Sequence, residues 1–152
     1  MIALKQEGKI RHIGLSNVSV EQVEAALQRT PIADVQNLYN VAAGEGRLAR
    51  LPHAQVEGQE RLLALCEARG IAFMPFFPLA IPGMRLENAA LSQAAARHGK
   101  TEAQIAIAWL LAHSKVMLPI PGTSSPDHLS ENWAARQVKL SDEEIASIRA
   151  AR

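Results

Sequence analysis

The sequence predicts an α/β protein, a parallel sheet packed under helices, and three observations carry that prediction. Short apolar runs rich in β-branched residues alternate with amphipathic stretches of helical period. The runs lack strict apolar/polar alternation, as expected of strands in a sheet covered on both faces. Capping and stop residues fall at each change of pattern. The predicted order is (α)βαβαβααβαα in one domain over residues 1–152, without linker, low-complexity segment or internal repeat.

Met1 to Gln6 reads as the tail of a helix, and Ile10–Leu15 as the first strand, interrupted by Ser16-Asn17. Ser19 to Arg29 is the next helix: Ser19 and Gln22 have capping-box spacing, with Val20, Val23, Ala26 and Leu27 on one face. Pro31 stops it, and Ala33–Leu38 is the second strand. Val41 to Glu57 holds Gly44, Gly46 and Pro52 and reads as a loop. Glu60 to Arg69 is a helix closed by Gly70, and Ile71–Phe77 a third strand containing Pro75. Asn88 to His98 is a helix ending before Gly99, and Thr101 with Gln104 caps the next, Ile105–His113. Val116–Ile120 is the fourth expected strand, followed by the turn Pro121-Gly122-Thr123-Ser124. Ser125 caps a helix with Pro126 at its first position, where a missing N–H costs little. Ser141 with Glu144 caps the last helix, through Ala150.

Composition narrows the function classes. Sixteen Lys and Arg against fifteen Asp and Glu leave a formal charge of +1, which supplies neither a stripe for nucleic acid nor a polybasic membrane segment. The single cysteine, Cys66, forms no intrachain disulfide, consistent with a cytoplasmic protein. Met1 to Lys9 has no long apolar run of the secretory kind, and Ile105–Ala112 is too short to span a bilayer.

In parallel α/β proteins ligands bind beyond the carboxyl ends of the strands. Those ends read Gly14-Leu15-Ser16-Asn17, Gln36-Asn37-Leu38-Tyr39-Asn40, Pro75-Phe76-Phe77-Pro78-Leu79 and Pro119 through Pro126. Such a rim offers amides, an aromatic face and a glycine-bearing turn into a helix start, where N–H groups and the dipole suit a phosphate. A ring, a carboxamide and a phosphate on one rim suggest a nucleotide cofactor. Pattern alone does not separate an open doubly wound sheet from a barrel.

Four segments in this order resemble the second half of bacterial aldo-keto reductases. Gly8 through Asn17 is similar to the family's fifth strand and its exit, and Pro121 through Asn132 to the cofactor-phosphate turn and helix after the eighth. The resemblance implies a partial (β/α)8 TIM barrel of about four parallel strands, family strands five to eight, with covering helices. Four units in 152 residues project to roughly 300 for eight, an ordinary barrel size. It also implies NAD(P)H-dependent reduction of aldehydes or ketones, with a nicotinamide cofactor and a small carbonyl substrate as partners.

Residue by residue, the resemblance assigns Ser16, Asn17 and Gln36 to the nicotinamide carboxamide. Phe76 matches the aromatic that stacks on the ring, usually tyrosine, and stacking needs only the ring. Phe77, Pro78 and Leu79 would line the pyrophosphate path. Thr123 and Ser125 match residues near the adenosine 2'-phosphate, and Glu131 and Asn132 those that hold adenine. Gly122 and His128 stand where many members carry lysine and arginine, which weakens discrimination between NADP and NAD; NADP is still the cofactor that the resemblance implies, with NAD as the alternative. The family's aspartate, tyrosine, lysine and histidine tetrad belongs to loops after strands two to four, which precede Met1. The expectation is a fragment that is inactive alone. Alternatives are a non-catalytic nucleotide-binding or subunit-packing module, a truncated gene product, or a phosphate-binding half barrel serving other chemistry.

Each feature also has a purely structural reading. Ser16-Asn17 can be a strand exit alone, Gln36 can satisfy rim backbone, and Ser125-Pro126 caps a helix in any case. One of Phe76 and Phe77 is expected in the core, since neighbouring strand residues face opposite sides. His12, His53, His98 and His113 lack ligand spacing and are expected at the surface or rim. Cys66 is expected as a buried small hydrophobe, and Trp109 and Trp133 as interhelical packing. Tyr39, the only tyrosine, matches no proton-donor position. A half barrel leaves two strand edges, Ile10–Leu15 and Val116–Ile120, which predicts self-association, pairing with a separate N-terminal half, or poor solubility.

Overall fold

A computed structural model describes residues 1–41, 58–79 and 88–151. Helix α1 (Ile2–Gln6) leads to β1 (Gly14–Ser16), α2 (Val20–Leu27) and β2 (Asp34–Leu38). Then follow α3 (Gln59–Arg69), β3 (Ala72–Phe76), α4 (Ala89–His98) and α5 (Glu102–His113). Helix α6 (Pro126–Ala134) runs into a 3-10 turn, Ala135–Gln137, and α7 (Asp142–Ala150) comes last. The loop expected over 41–57 lies, from residue 42 on, outside the described residues.

Caps set the helix boundaries. Ser19–Gln22, Thr101–Gln104 and Ser141–Glu144 each close a reciprocal capping box. Ser125 accepts from the His128 N–H with Pro126 at the first position. Gly70 and Gly99 end α3 and α4 in the left-handed conformation.

The three strands are parallel in the order β1-β2-β3, with Ser16 opposite Gln36 and Gln36 opposite Met74. Beginning the first strand at Ile10 is corrected. The Ile10 N–H turns back to the Leu4 carbonyl, and pairing starts at Gly14 opposite Asp34.

The fourth strand is also corrected: Val116–Ile120 contributes a single parallel bridge, Met117 opposite Phe73. Phe73 donates to the Val116 carbonyl and accepts from the Leu118 N–H, both at 2.8 Å. The next rung would need an N–H from residue 75, which is proline. The rung before is also lost, because the Ile71 N–H bonds Cys66 at the end of α3 and the Val116 N–H bonds the Ser114 hydroxyl. Proline on one side and a helix cap on the other leave one rung.

One face of the sheet is the core. The row Leu15, Val35, Phe73 and Met117 packs with Leu62, Cys66, Ile105, Trp109 and Ile148 from the helices. On the opposite face Gly14 and Ser16 are exposed, and Asp34, Gln36, Ala72, Met74 and Phe76 are half-buried. Cover on both faces, as the strand composition suggested, is therefore not what the described residues provide. The face that a closed barrel turns inward is open here.

Trp109 is fully buried and donates from its indole nitrogen to the Ile145 carbonyl at 3.2 Å. Trp133 corrects the packing expectation: it is 67% exposed, with the Arg136 guanidinium 4.0 Å from its ring centroid. His113 is half-buried as a residue. Its side chain is 8% exposed, stacked on Trp109 at 4.6 Å, with Nε2 3.3 Å from Glu60.

Candidate functional site

Parallel strands deliver their exits to one end of the sheet, and the predicted residues fall into two clusters there. The first is built on β1 and β2. Ser16 ends β1, and its Cα partner across the sheet is Gln36, so both side chains project from the open face. Asn17 donates its N–H to the Gln36 carbonyl at 2.9 Å and then turns left-handed, φ 55°. Asparagine tolerates that conformation better than other non-glycine residues. A hydroxyl and two primary amides are thus held within one rung of each other.

On β3, Phe76 stands on the same face as Gln36 and Met74. Phe77 has φ 52°, which a bulky side chain adopts only under constraint. That turn breaks the alternation and corrects the expectation of one core ring. Phe76 is half-buried and Phe77 39% exposed, their rings 5.6 Å apart in an edge-to-face pair. Pro78 is buried and Leu79 half-buried behind them.

The second cluster surrounds the start of α6. Gly122, Thr123 and His128 are exposed, and Ser125 is half-buried. The Thr123 hydroxyl accepts from the Ser125 N–H at 3.1 Å, and the Ser125 hydroxyl from the His128 N–H at 3.3 Å. Asp127 lies in the first turn, where its charge favours the helix and repels an anion. A Cβ added at Gly122 would meet nothing within 4 Å. Glu131 is half-buried, its carbonyl bonded to Gln104 of α5 at 3.1 Å. Asn132 lines a groove of about 390 Å³ with Leu118, Pro121 and Trp133.

Sequence reasoning missed two residues at this rim, Asn37 and Asn40. Asn37 is fully buried, its amide bonded both ways to the backbone of Val18. Asn40 is 1% exposed and donates to the Phe77 carbonyl at 2.9 Å. The available signal was three primary amides in the five residues Gln36 to Asn40.

Other candidates resolve as structure. The Tyr39 ring is fully buried between Phe73 and Trp109, and its hydroxyl donates to Glu60 at 2.7 Å. Cys66 is fully buried, and burial pushes its thiol up to about 11. Among the described residues no cluster of three His, Cys, Asp or Glu could hold a metal ion, and no helix is long and apolar enough to cross a membrane.

The described residues thus form a parallel α/β sheet with amides and aromatics at the strand exits and a capped helix start. The chain matches the Aldo/keto reductase family over residues 1–152 and belongs to it. It is 40% identical over 146 residues to an uncharacterized oxidoreductase of Schizosaccharomyces pombe, covering 96% of this chain and 44% of that protein. Against pyridoxine 4-dehydrogenase of Escherichia coli it is 41% identical over 148 residues, covering 95% and 46%. A thermostable aldo-keto reductase solved with the inhibitor epalrestat superposes with a TM-score of 0.84 at 30% identity, covering 100% of this chain and 52% of that one. An aldo-keto reductase of Klebsiella pneumoniae in complex with NADPH gives 0.74 at 33% identity, covering 99% and 51%. The chain thus spans about half the length of the proteins it matches.

Proposed function

We propose that this chain is the cofactor-holding side of an NAD(P)H-linked reductase of aldehydes and ketones. The observation that carries the reading is the row Ser16–Gln36, with Asn17 beside it, on the open face at the strand exits. A nicotinamide carboxamide needs one acceptor for its NH2 and donors for its oxygen. The Ser16 hydroxyl and the Asn17 and Gln36 side-chain amides offer both kinds of group. The Phe76 ring, on the same face as Gln36, is the stacking surface. When bound, the reduced nicotinamide would supply a hydride; the residues named here bind and orient it.

The residues fit the two ends of the cofactor unequally. At the α6 end the hydroxyls of Thr123 and Ser125 already cap backbone, Asp127 is anionic, and His128 stands without a lysine or arginine in the turn. NADP remains the reading because the Klebsiella relative is solved with NADPH. The weak charge at this end gives NADPH little advantage over NADH. The proton donor of carbonyl reduction is not among the residues of this site, so this chain alone binds without turnover.

The test is a fluorescence titration of the full chain with NADPH and NADH, then addition of a simple aldehyde while cofactor absorbance is followed. Saturable binding that weakens in Gln36→Ala, with no oxidation, is expected. Absence of binding, or turnover by this chain alone, overturns the reading. Gly122→Lys, which has open space around it, should improve NADPH and leave NADH unchanged.

A second reading, a subunit-packing module, is favoured by apolar grooves on both open edges. One of about 540 Å³ is lined by Ile2, Ile13, Leu15 and Ala26 beside β1, and the other adjoins Leu118. Leu118, Leu129 and Trp133, which line the second groove, are 52%, 62% and 67% exposed. Size-exclusion chromatography at micromolar concentration separates the readings: a stable monomer counts against packing with a second copy.

A further inference from the structure

Two strand exits carry a non-glycine residue in the left-handed region, Asn17 and Phe77. They end β1 and β3, the two neighbours of β2. A buried asparagine holds the backbone at each exit, Asn37 within β2 and Asn40 two residues past its end. Asn37 Oδ1 accepts from the Val18 N–H at 3.0 Å, and its Nδ2 donates to the Val18 carbonyl at 2.8 Å. Asn40 Nδ2 donates to the Phe77 carbonyl at 2.9 Å.

The geometry has a simple origin. The last backbone rung between β1 and β2 is the Asn17 N–H on Gln36. Past it the chain turns out of the ladder, and the next residue, Val18, would leave both its backbone groups without strand partners. The Asn37 amide, a peptide unit in miniature, takes the place of the missing strand. Gln59 of α3 lies 3.2 Å from Asn37 Nδ2 through its own Oε1, and a flipped Asn37 amide would set an oxygen against the Val18 carbonyl. At Phe77 the backbone is strained, so it persists only where its surroundings hold it, and Asn40 grips its carbonyl.

We propose that Asn37 and Asn40 are positioning residues of the cofactor site, through which β2 and the segment that leaves it set the exits of both neighbouring strands. Asn37 fixes the turn that presents Ser16 and Asn17 beside Gln36. Asn40 fixes the turn that keeps the Phe76 and Phe77 rings together at the rim. Both side chains are buried, so they act through the backbone they hold and not on the ligand. This inference rests on the cofactor reading above.

The test compares two ligands of the full chain by titration. NADPH engages both ends of the site, and adenosine 2',5'-bisphosphate only the end that lacks nicotinamide. Asn37→Asp keeps the shape but loses the Nδ2 donor to both the Val18 carbonyl and Gln59, and it should weaken NADPH about tenfold. The bisphosphate should bind as before. Asn40→Asp should behave alike, and Gln59→Met, which leaves both asparagines in place, should give a smaller selective loss. If Asn37→Asp does not fold, Asn40→Asp and Gln59→Met decide. Equal loss of both ligands, or unchanged NADPH binding, overturns the positioning role while leaving the cofactor reading intact. Unmodified protein that fails to saturate with NADPH but takes up the bisphosphate, or neither ligand, sinks the cofactor reading and this inference with it.

Discussion

Replacing Trp109 by phenylalanine tests the core and separates it from Trp133, which sequence pattern alone treats alike. Trp109 is fully buried and bonds the Ile145 carbonyl in α7 at 3.2 Å. Leaving that carbonyl without its donor costs about 1–3 kcal/mol. Shrinking indole to a benzyl ring in a packed site adds roughly 1–2 kcal/mol. The sum, about 2–5 kcal/mol, lowers the melting temperature by about 4–20 °C for a domain of this size. Trp133→Phe is the control, because that ring is 67% exposed and its contact is with Arg136. It should lose no more than about 1 kcal/mol. Thermal melts followed by far-UV circular dichroism read both variants. Tryptophan emission adds a second measure: Trp109→Phe leaves only the solvated indole and shifts the spectrum to the red. Equal destabilisation by the two substitutions would refute the assignment of one tryptophan to the core and the other to the surface.

Two further outcomes follow from the titratable groups. Glu144 caps α7 through the Ser141 N–H at 2.9 Å and meets His98 at 3.1 Å and Arg97 at 3.3 Å on α4. The Ser141 backbone N–H first, and then the His98 hydrogen bond, hold its carboxyl below the ordinary value of 4.5. A depressed folded-state value means that stability is present above the ordinary value and is lost as pH falls through the folded one. Glu144→Gln keeps the cap, so its deficit at neutral pH should shrink in acid as pH falls below the ordinary 4.5 and through the depressed folded value; parallel melting profiles for the two proteins would contradict this. Cys66, fully buried with its thiol pushed up to about 11, should resist a charged disulfide reagent at about pH 8. It should then react fully in denaturant, whereas fast labelling of the native protein would show that the helices part from the sheet.

What the sequence made legible were features that depend on a few neighbouring residues. Ser19, Thr101, Ser125 and Ser141 cap helices because a hydroxyl three residues from a free N–H suffices, and each does so in the structure. Gly70 and Gly99 end helices for an equally local reason. Strand extent was less legible, because it depends on which backbone groups a distant segment leaves available. Pro75 was visible, but its effect on Val116–Ile120 needed the register that sets it opposite residue 119. The candidate site divides the same way. Ser16 and Gln36 were readable as rim residues, whereas Asn37 and Asn40 look like their neighbours until the Val18 and Phe77 backbones are seen against them. Two tryptophans on successive helices looked equivalent, and only packing distinguishes them.

The solitary rung between Phe73 and Met117 has a mechanical corollary. A strand anchored along its length would index the following turn to the sheet. Here the turn at Pro121–Ser125 takes its bearings from α5, where the Gln104 side chain holds Glu131 of α6. Small changes inside α5 should therefore travel to α6, while the pleats beneath Ser16 and Gln36 stay still. The two ends of the rim can drift apart in evolution, or be redesigned, one at a time.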